Sequence, residues 1–254
     1  FCLAIYFNQL SGSRGLFPLD SLGFFDTGYK FLQGSYPIKD FWITTGIFIE
    51  INQALIYKIF GINWQTYVLN ASLLNALFVM CAFYFFQSFK LKIRLNFFFC
   101  LSLAVLSYPS SGTPFVDHHS TFLSLVSIMF LIIGLKDQNY KLIFLAPLFL
   151  GFAFFSKQVP AGYFILIFFI VIVYSLKYLD NIDKNFFLLS LFLSIITFLI
   201  LLFAFLKFTN IQFKQLIYQY ILYPLDLGEN RISDRKFDIK NIFFDFKFIY
   251  LAYL

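Results

Sequence analysis

The run FFLLSLFLSIITFLILLFAFL, Phe186 to Leu206, holds no charged residue, and it constrains the fold more than any other stretch of the chain. A helix crossing the hydrocarbon core of a bilayer needs about 20 apolar residues. Lipid offers no hydrogen bonds to a backbone, so such a run closes its own as a helix. Tyr67–Phe86, Leu95–Tyr108 and Tyr163–Leu176 read the same way. Thr121–Leu135 and Leu142–Phe155 are short and reach across if Lys141 and Lys157 stretch to the interface or the bilayer thins. Residues 1–10, FCLAIYFNQL, form the tail of a first helix. Composition agrees: 60% of the 254 residues are hydrophobic and 13% charged, where a soluble domain carries about 25% charged. The expectation is an all-α, polytopic integral membrane protein with about seven transmembrane helices.

The gaps between these runs set their sides. KLKIR (Lys90–Arg94), KDQNYK (Lys136–Lys141) and KYLDNIDK (Lys177–Lys184) are short, lysine-rich and alternate along the chain, so the positive-inside rule makes them cytoplasmic. Residues 11–66, Ser110–Ser120, Ser156–Gly162 and the tail from Thr209 then share the outer side. Arg14, Lys30, Lys39 and Lys58 fall there too, balanced by Asp20, Asp26, Asp40 and Glu50. The net charge of +6 marks loops and headgroup contacts, with no basic, aromatic-interleaved scaffold for nucleic acid. Cys2, Cys81 and Cys100 are odd in number and scattered, which argues against a disulfide framework or a zinc site. Phe1 as first residue and the closing run FIYLAYL, which ends without a break signal, lead us to expect a fragment truncated at both ends.

The first outer loop is long. Pro18, Gly34 and Pro37 cut it into short pieces, and residues 46–60, GIFIEINQALIYKIF, suit a helix lying in the membrane interface. Ile49, Ala54, Ile56 and Phe60 are among its apolar residues, Glu50, Asn52, Gln53 and Lys58 are its polar ones, and Glu50 is expected to face water or headgroups.

Uncommon polar residues gather in these outer segments. Asp20, Asp26 and Asp40 lie in loop one, Asp117, His118 and His119 in loop two, Lys157 and Gln158 in loop three, and Arg231, Asp234, Arg235 and Lys236 after the seventh helix. Topology puts all four groups on one membrane face, where they can surround a shared site. Each also has a plain reading: a solvated aspartate, polar residues at a helix mouth, a lysine reaching the interface, two arginines solvating a loop. Asp117–His119 lacks further ligands at a recognised metal spacing, so no metal or other cofactor is expected.

Spacing in the first loop adds a resemblance. Asp20, Gly28, Gly34, Pro37, Asp40 and Phe41 give D-x7-G-x5-G-x2-P-x2-D-F, which resembles the first outer loop of GT-C glycosyltransferases, in the bacterial branch of protein O-mannosyltransferases and aminoarabinose transferases. YKIFG at Tyr57–Gly61 and SKQVPAGY at Ser156–Tyr163 are similar to segments that many members carry. Ile38 and Lys39 stand where Tyr and Arg are common, and Ser21 follows Asp20 where the family often has Glu. The resemblance implies a GT-C-like fold and a glycosyltransferase that uses a polyprenyl-phosphate sugar donor at the outer face of the bacterial plasma membrane. It also implies an acceptor hydroxyl on a lipid, glycan or protein.

In that setting residues 1–254 form one transmembrane domain. Residues 1–10 end helix one, 11–66 are a catalytic outer loop, 67–208 hold helices two to seven, and 209–254 begin the next segment. Asp20, or Asp26 in its place, is the expected general base, because a positioned carboxylate takes the acceptor proton as the new bond forms. Lys157 with Arg231 or Arg235 would meet the leaving phosphate, where negative charge accumulates. Gln158 and Asp117 are further expected substrate-binding residues, Asp40 would orient the loop or bind acceptor, and His118 or His119 would contact sugar. Direct displacement would invert the anomeric centre. The rival from another class is a transporter or flippase for a lipid-linked or anionic solute, for which midplane charges and broken helices are typical. A structural scaffold is the third reading.

Overall fold

Hydropathy says which segments are helical, but caps and close backbone approaches say where they stop. In the computed structural model of the chain, residues 1–15, 22–43, 45–179, 182–233, 244, 247, 250 and 251 are described. The named elements are all helical. They are α1 (Cys2–Gly12), α2 (Gly23–Leu32), α3 (Phe48–Phe60), α4 (Trp64–Ser88), α5 (Ile93–Leu106), α6 (Val116–Asp137), α7 (Tyr140–Phe154), α8 (Gln158–Tyr178) and α9 (Lys184–Thr209). The last stretch runs α10 (Phe213–Ile217), a π-helical turn at Tyr218–Leu222, and α11 (Tyr223–Ser233).

Asn63 starts α4 by accepting the Thr66 amide at 2.9 Å, and Asp183 starts α9 by accepting those of Asn185 and Phe186. Between α6 and α7 the turn takes two residues. Gln138 adopts the left-handed conformation that ends α6, and Asn139 caps α7. A Cβ on Gly134 would meet Ile143 Cγ1 at 2.7 Å, so glycine there lets α7 lie tightly back along α6.

Among the described residues five helices are long and apolar enough to cross a membrane: α4, α5 with the 3-10 turn that follows it, α6, α8 and α9. The other two runs read as crossings are α7, with 15 residues, and α1, with 11. At about 1.5 Å per residue, α7 reaches roughly 22 Å, short of the roughly 30 Å hydrocarbon core.

The helices sort into an inner and an outer set. α4 packs against α1, α5 and α6, and α6 packs along α7. The interior of this set is polar as well as apolar: Asn8, Asn70, Ser72, Asn75, Asn96, His119, Ser120, Ser124 and Ser127 are all buried. Asn75 Nδ2 donates to the carbonyls of Ala4 (3.1 Å) and Ala104 (3.0 Å), tying three helices at one point. Asn8 Nδ2 donates to Ser72 Oγ and to the Gly112 carbonyl. α8 and α9 show the opposite pattern, with large apolar side chains such as Phe169, Phe192 and Phe203 facing outward.

The face of α3 is a correction to the sequence reading. Glu50 and Gln53 are buried, along with Ile49, Ala54, Ile56 and Tyr57, while Ile59 and Phe60 are exposed. α3 packs against α2 and α4, and its polar side turns to the polar interior of the bundle. Glu50, expected to face water or headgroups, faces inward instead, because α3 is seated against α2 and α4 on that side.

Candidate functional site

Lys157 sits at the N-cap of α8 and Asp117 in the first turn of α6. The Lys157 ammonium lies 2.8 Å from both carboxylate oxygens of Asp117. Their side chains stay 32% and 38% exposed, so the pair is open at the bundle end rather than sealed in it. Two helix N-termini meet there, and their unpaired backbone amides favour negative charge. Ser120 Oγ donates to the Lys157 carbonyl at 2.9 Å, fixing the start of α8 against α6.

The other segments expected on the outer side come to the same end. Gly46 N–H donates to the Ser156 carbonyl at 3.1 Å, and Phe48 N–H to the Phe155 carbonyl at 3.0 Å. A Cβ at Gly46 would lie 1.7 Å from the Phe155 oxygen, so backbone rests directly on backbone. Gln158 Nε2 donates to the Tyr220 carbonyl at 2.6 Å, and the Tyr220 hydroxyl to the Phe154 carbonyl. Gln219 Nε2 donates to the Ile38 carbonyl at 3.0 Å, closing the ring between loop one and the π-helical turn. At the opposite end the Lys136 ammonium bonds the Ser88 carbonyl, which brings two of the lysine-rich turns together.

Consecutive residues of a helix step by about 100°, and Asp117, His118 and His119 accordingly fan apart. Asp117 reaches Lys157. His118 lies among the rings of Tyr108, Phe115 and Phe122. His119 is fully buried, its Nδ1 2.6 Å from the Tyr108 hydroxyl and its Nε2 3.3 Å from Asn70 Oδ1. Asn70 spends its amide on Gln53 Oε1 at 3.0 Å, and its oxygen also accepts from Asn52. Nδ1 also lies 3.2 Å from the Phe115 carbonyl, so each ring nitrogen faces an oxygen that can only accept and the ring is held from both sides. His119 thus braces the floor of the site; sugar would reach it only after this network opened.

The remaining candidates stand apart. Asp26 pairs with Lys30 at 2.7 Å on the exposed face of α2. Asp40 Oδ2 accepts the Tyr36 amide at 2.7 Å, pinning the turn of the Gly34–Phe41 motif, where Ile38 has a left-handed φ of 73°. Asp20, Asp234, Arg235 and Lys236 lie outside the described residues, and Arg231 is described by its backbone in α11 alone. Among the described residues no three His, Cys, Asp or Glu side chains gather as a metal site.

Sequence reasoning missed Gln53, Asn70 and Tyr108, which hold His119 in the core next to Asp117 in the chain. Their signal was available: asparagine and glutamine inside apolar helices are costly in lipid unless they bond one another. Apolar grooves flank the polar end. One of about 390 Å³ lies between α7, α8 and α9, lined by residues that include Pro147, Gly151, Phe168 and Leu191, and it reaches Phe154. Compared with family models, with curated proteins and with solved structures, the chain matches none.

Proposed function

We propose that the protein transfers a sugar from a polyprenyl-phosphate donor to an acceptor hydroxyl at the outer face of a bacterial plasma membrane, as a GT-C-type glycosyltransferase with seven crossings. The observation that carries this reading is the Lys157–Asp117 pair, half-open at the N-termini of α6 and α8, where four separate segments of chain meet. A phosphate placed there would take Lys157 from Asp117 and gain two helix N-termini, an arrangement suited to the charge that grows on a leaving phosphate. The groove ending at Phe154, three residues before Lys157, offers an apolar path for the lipid tail.

Asp20 is assigned the general base on its place in the first-loop motif. Asp26 is the substitute, although its ion pair with Lys30 would have to open. Asp40 orders the motif turn, Gln158 braces the start of α8, and Arg231 and Arg235 are further candidates for the phosphate. No resident metal is required by this scheme. A transporter for an anionic or lipid-linked solute is the second reading, and the buried Glu50 favours it, since uncompensated carboxyls within membrane proteins often serve proton coupling.

The test supplies membranes containing the protein with radiolabelled polyprenyl-phosphate sugars and compares wild type, Asp20→Asn and Asp26→Asn. Loss of transfer in Asp20→Asn alone, with donor binding intact, supports the assignment. Loss in Asp26→Asn alone moves the base six residues along. Wild type that transfers label from no donor overturns glycosyl transfer, and solute flux is then the activity to measure.

A further inference from the structure

Glu50 is the most conspicuous group that the proposed chemistry leaves unused. It is 1% exposed, and neither carboxylate oxygen has a hydrogen-bond partner. On the same face of α3, three and seven residues on, Gln53 Nε2 and the Tyr57 hydroxyl are buried donors that also lack partners. The hydrogen-bonded chain Tyr108–His119–Asn70–Gln53 therefore stops one helical turn from an unmet carboxyl. Natural interiors seldom leave three such groups unsatisfied side by side.

We propose that Glu50 is a buried proton-binding site whose occupancy sets how α3 seats on the end of α7. As a neutral acid Glu50 tolerates its burial, and α3 rests in the observed position. Once its proton passes to water, the carboxylate requires donors, and the unmet ones on the same face of α3 are Gln53 Nε2 and Tyr57 Oη. Reaching them repacks the inner face of α3. The N-terminus of α3 is held to α7 by the Gly46 and Phe48 amides, by direct backbone contact at Gly46 and by the Phe48–Phe152 stack. Loosening it reaches Ser156 and, one residue on, Lys157.

The groups around Glu50 leave the charge uncompensated. α4 presents Tyr67 and the π-helical turn presents Tyr220; α3 itself adds Tyr57. The charged pair on α2, Asp26 and Lys30, is solvent-exposed, and Lys157 is engaged by Asp117. Burial accordingly pushes the Glu50 carboxyl from its ordinary 4.5 up to about 8, opposed only by the dipole of its own nearby backbone amide, which is too poorly aligned for a hydrogen bond. The same burial raises the Tyr57 phenol, so Tyr57 stays a donor throughout this range. The inference goes beyond glycosyl transfer and stands or falls independently of it.

Hydrogen exchange of the full protein in lipid nanodiscs, at pH 6 and pH 9 and corrected for intrinsic exchange rates, tests it. Amides 46–51 of wild type are expected to exchange at least about tenfold faster at pH 9. Glu50→Gln, an uncharged near-isostere, is expected to exchange equally at both pH values. Tyr57→Phe removes a donor to the charged form, so the pH midpoint of the transition should rise. Wild type with no excess exchange at 46–51, or Glu50→Gln with the wild-type response, overturns the proposal. If Glu50→Gln does not fold, an unmoved midpoint in Tyr57→Phe overturns it.

Discussion

α4 and α9 are nearly equal in length and both read as membrane-spanning, yet they are built for different surroundings. In α4, and equally in α6, 61% of the most apolar window is buried inside the protein; in α9 it is 22% and in α8 17%. The inner helices carry Asn70, Asn75, His119 and Ser127, each bonded to another element. Ser175, Ser190, Thr197 and Thr209, on the outer helices, turn back to the carbonyl four residues earlier. Polar side chains in lipid are expensive, so they are spent where another helix answers them. Hydropathy separates protein from lipid poorly here, whereas the partners of the polar residues separate them well.

The largest effect expected from this contrast is pH-dependent. The folded-state pKa of Glu50 is raised, so its contribution to stability is complete below about 4.5 and is lost as pH rises through about 8. Wild type should lose roughly 3 to 5 kcal/mol of unfolding free energy across that window. Glu50→Gln should show little of this loss, as measured by unfolding in mixed micelles. A flat wild-type profile would break the contrast at its most buried carboxyl.

Next in size, Asn70→Leu leaves His119 Nε2, the Asn52 amide and Gln53 Oε1 without partners. It should cost at least about 2 kcal/mol, at about 1–3 kcal/mol for each of the two fully buried groups, on His119 and Gln53. Phe192→Leu on the outward face of α9 is the matching outer change. Phe192 is 60% exposed toward what we read as lipid, and the substitution should stay within about 0.5 kcal/mol. Equal costs for the two variants would erase the distinction between inner and outer helices.

Much of the helical frame was legible in the sequence. The uncharged run Phe186–Leu206 lies within α9 and Tyr67–Phe86 within α4, because length and apolarity are local properties that tertiary contacts seldom override. The face of α3 was not legible. A mixed polar and apolar pattern serves an interfacial helix and a helix covering a polar interior equally well, and only Asn70 and His119 across the contact decide between them. At the site, the sequence singled out Asp117 and Lys157 separately, 40 residues apart. Their pairing depends on how α6 and α8 are juxtaposed, a long-range relation that no local pattern encodes. His119 looked like its neighbours in Asp117–His119, but a step of about 200° from Asp117 turns it into the core.

The measurement that tests the account most directly is binding and transfer of a radiolabelled polyprenyl-phosphate monosaccharide by Lys157→Met and Asp117→Asn beside wild type. The account predicts that Lys157→Met, still folded, loses donor affinity and transfer by about a hundredfold or more. It predicts that Asp117→Asn retains donor binding, because its lysine is then free for phosphate. Lys157→Met that binds and transfers like wild type would contradict the account and leave the ion pair a structural tie between α6 and α8.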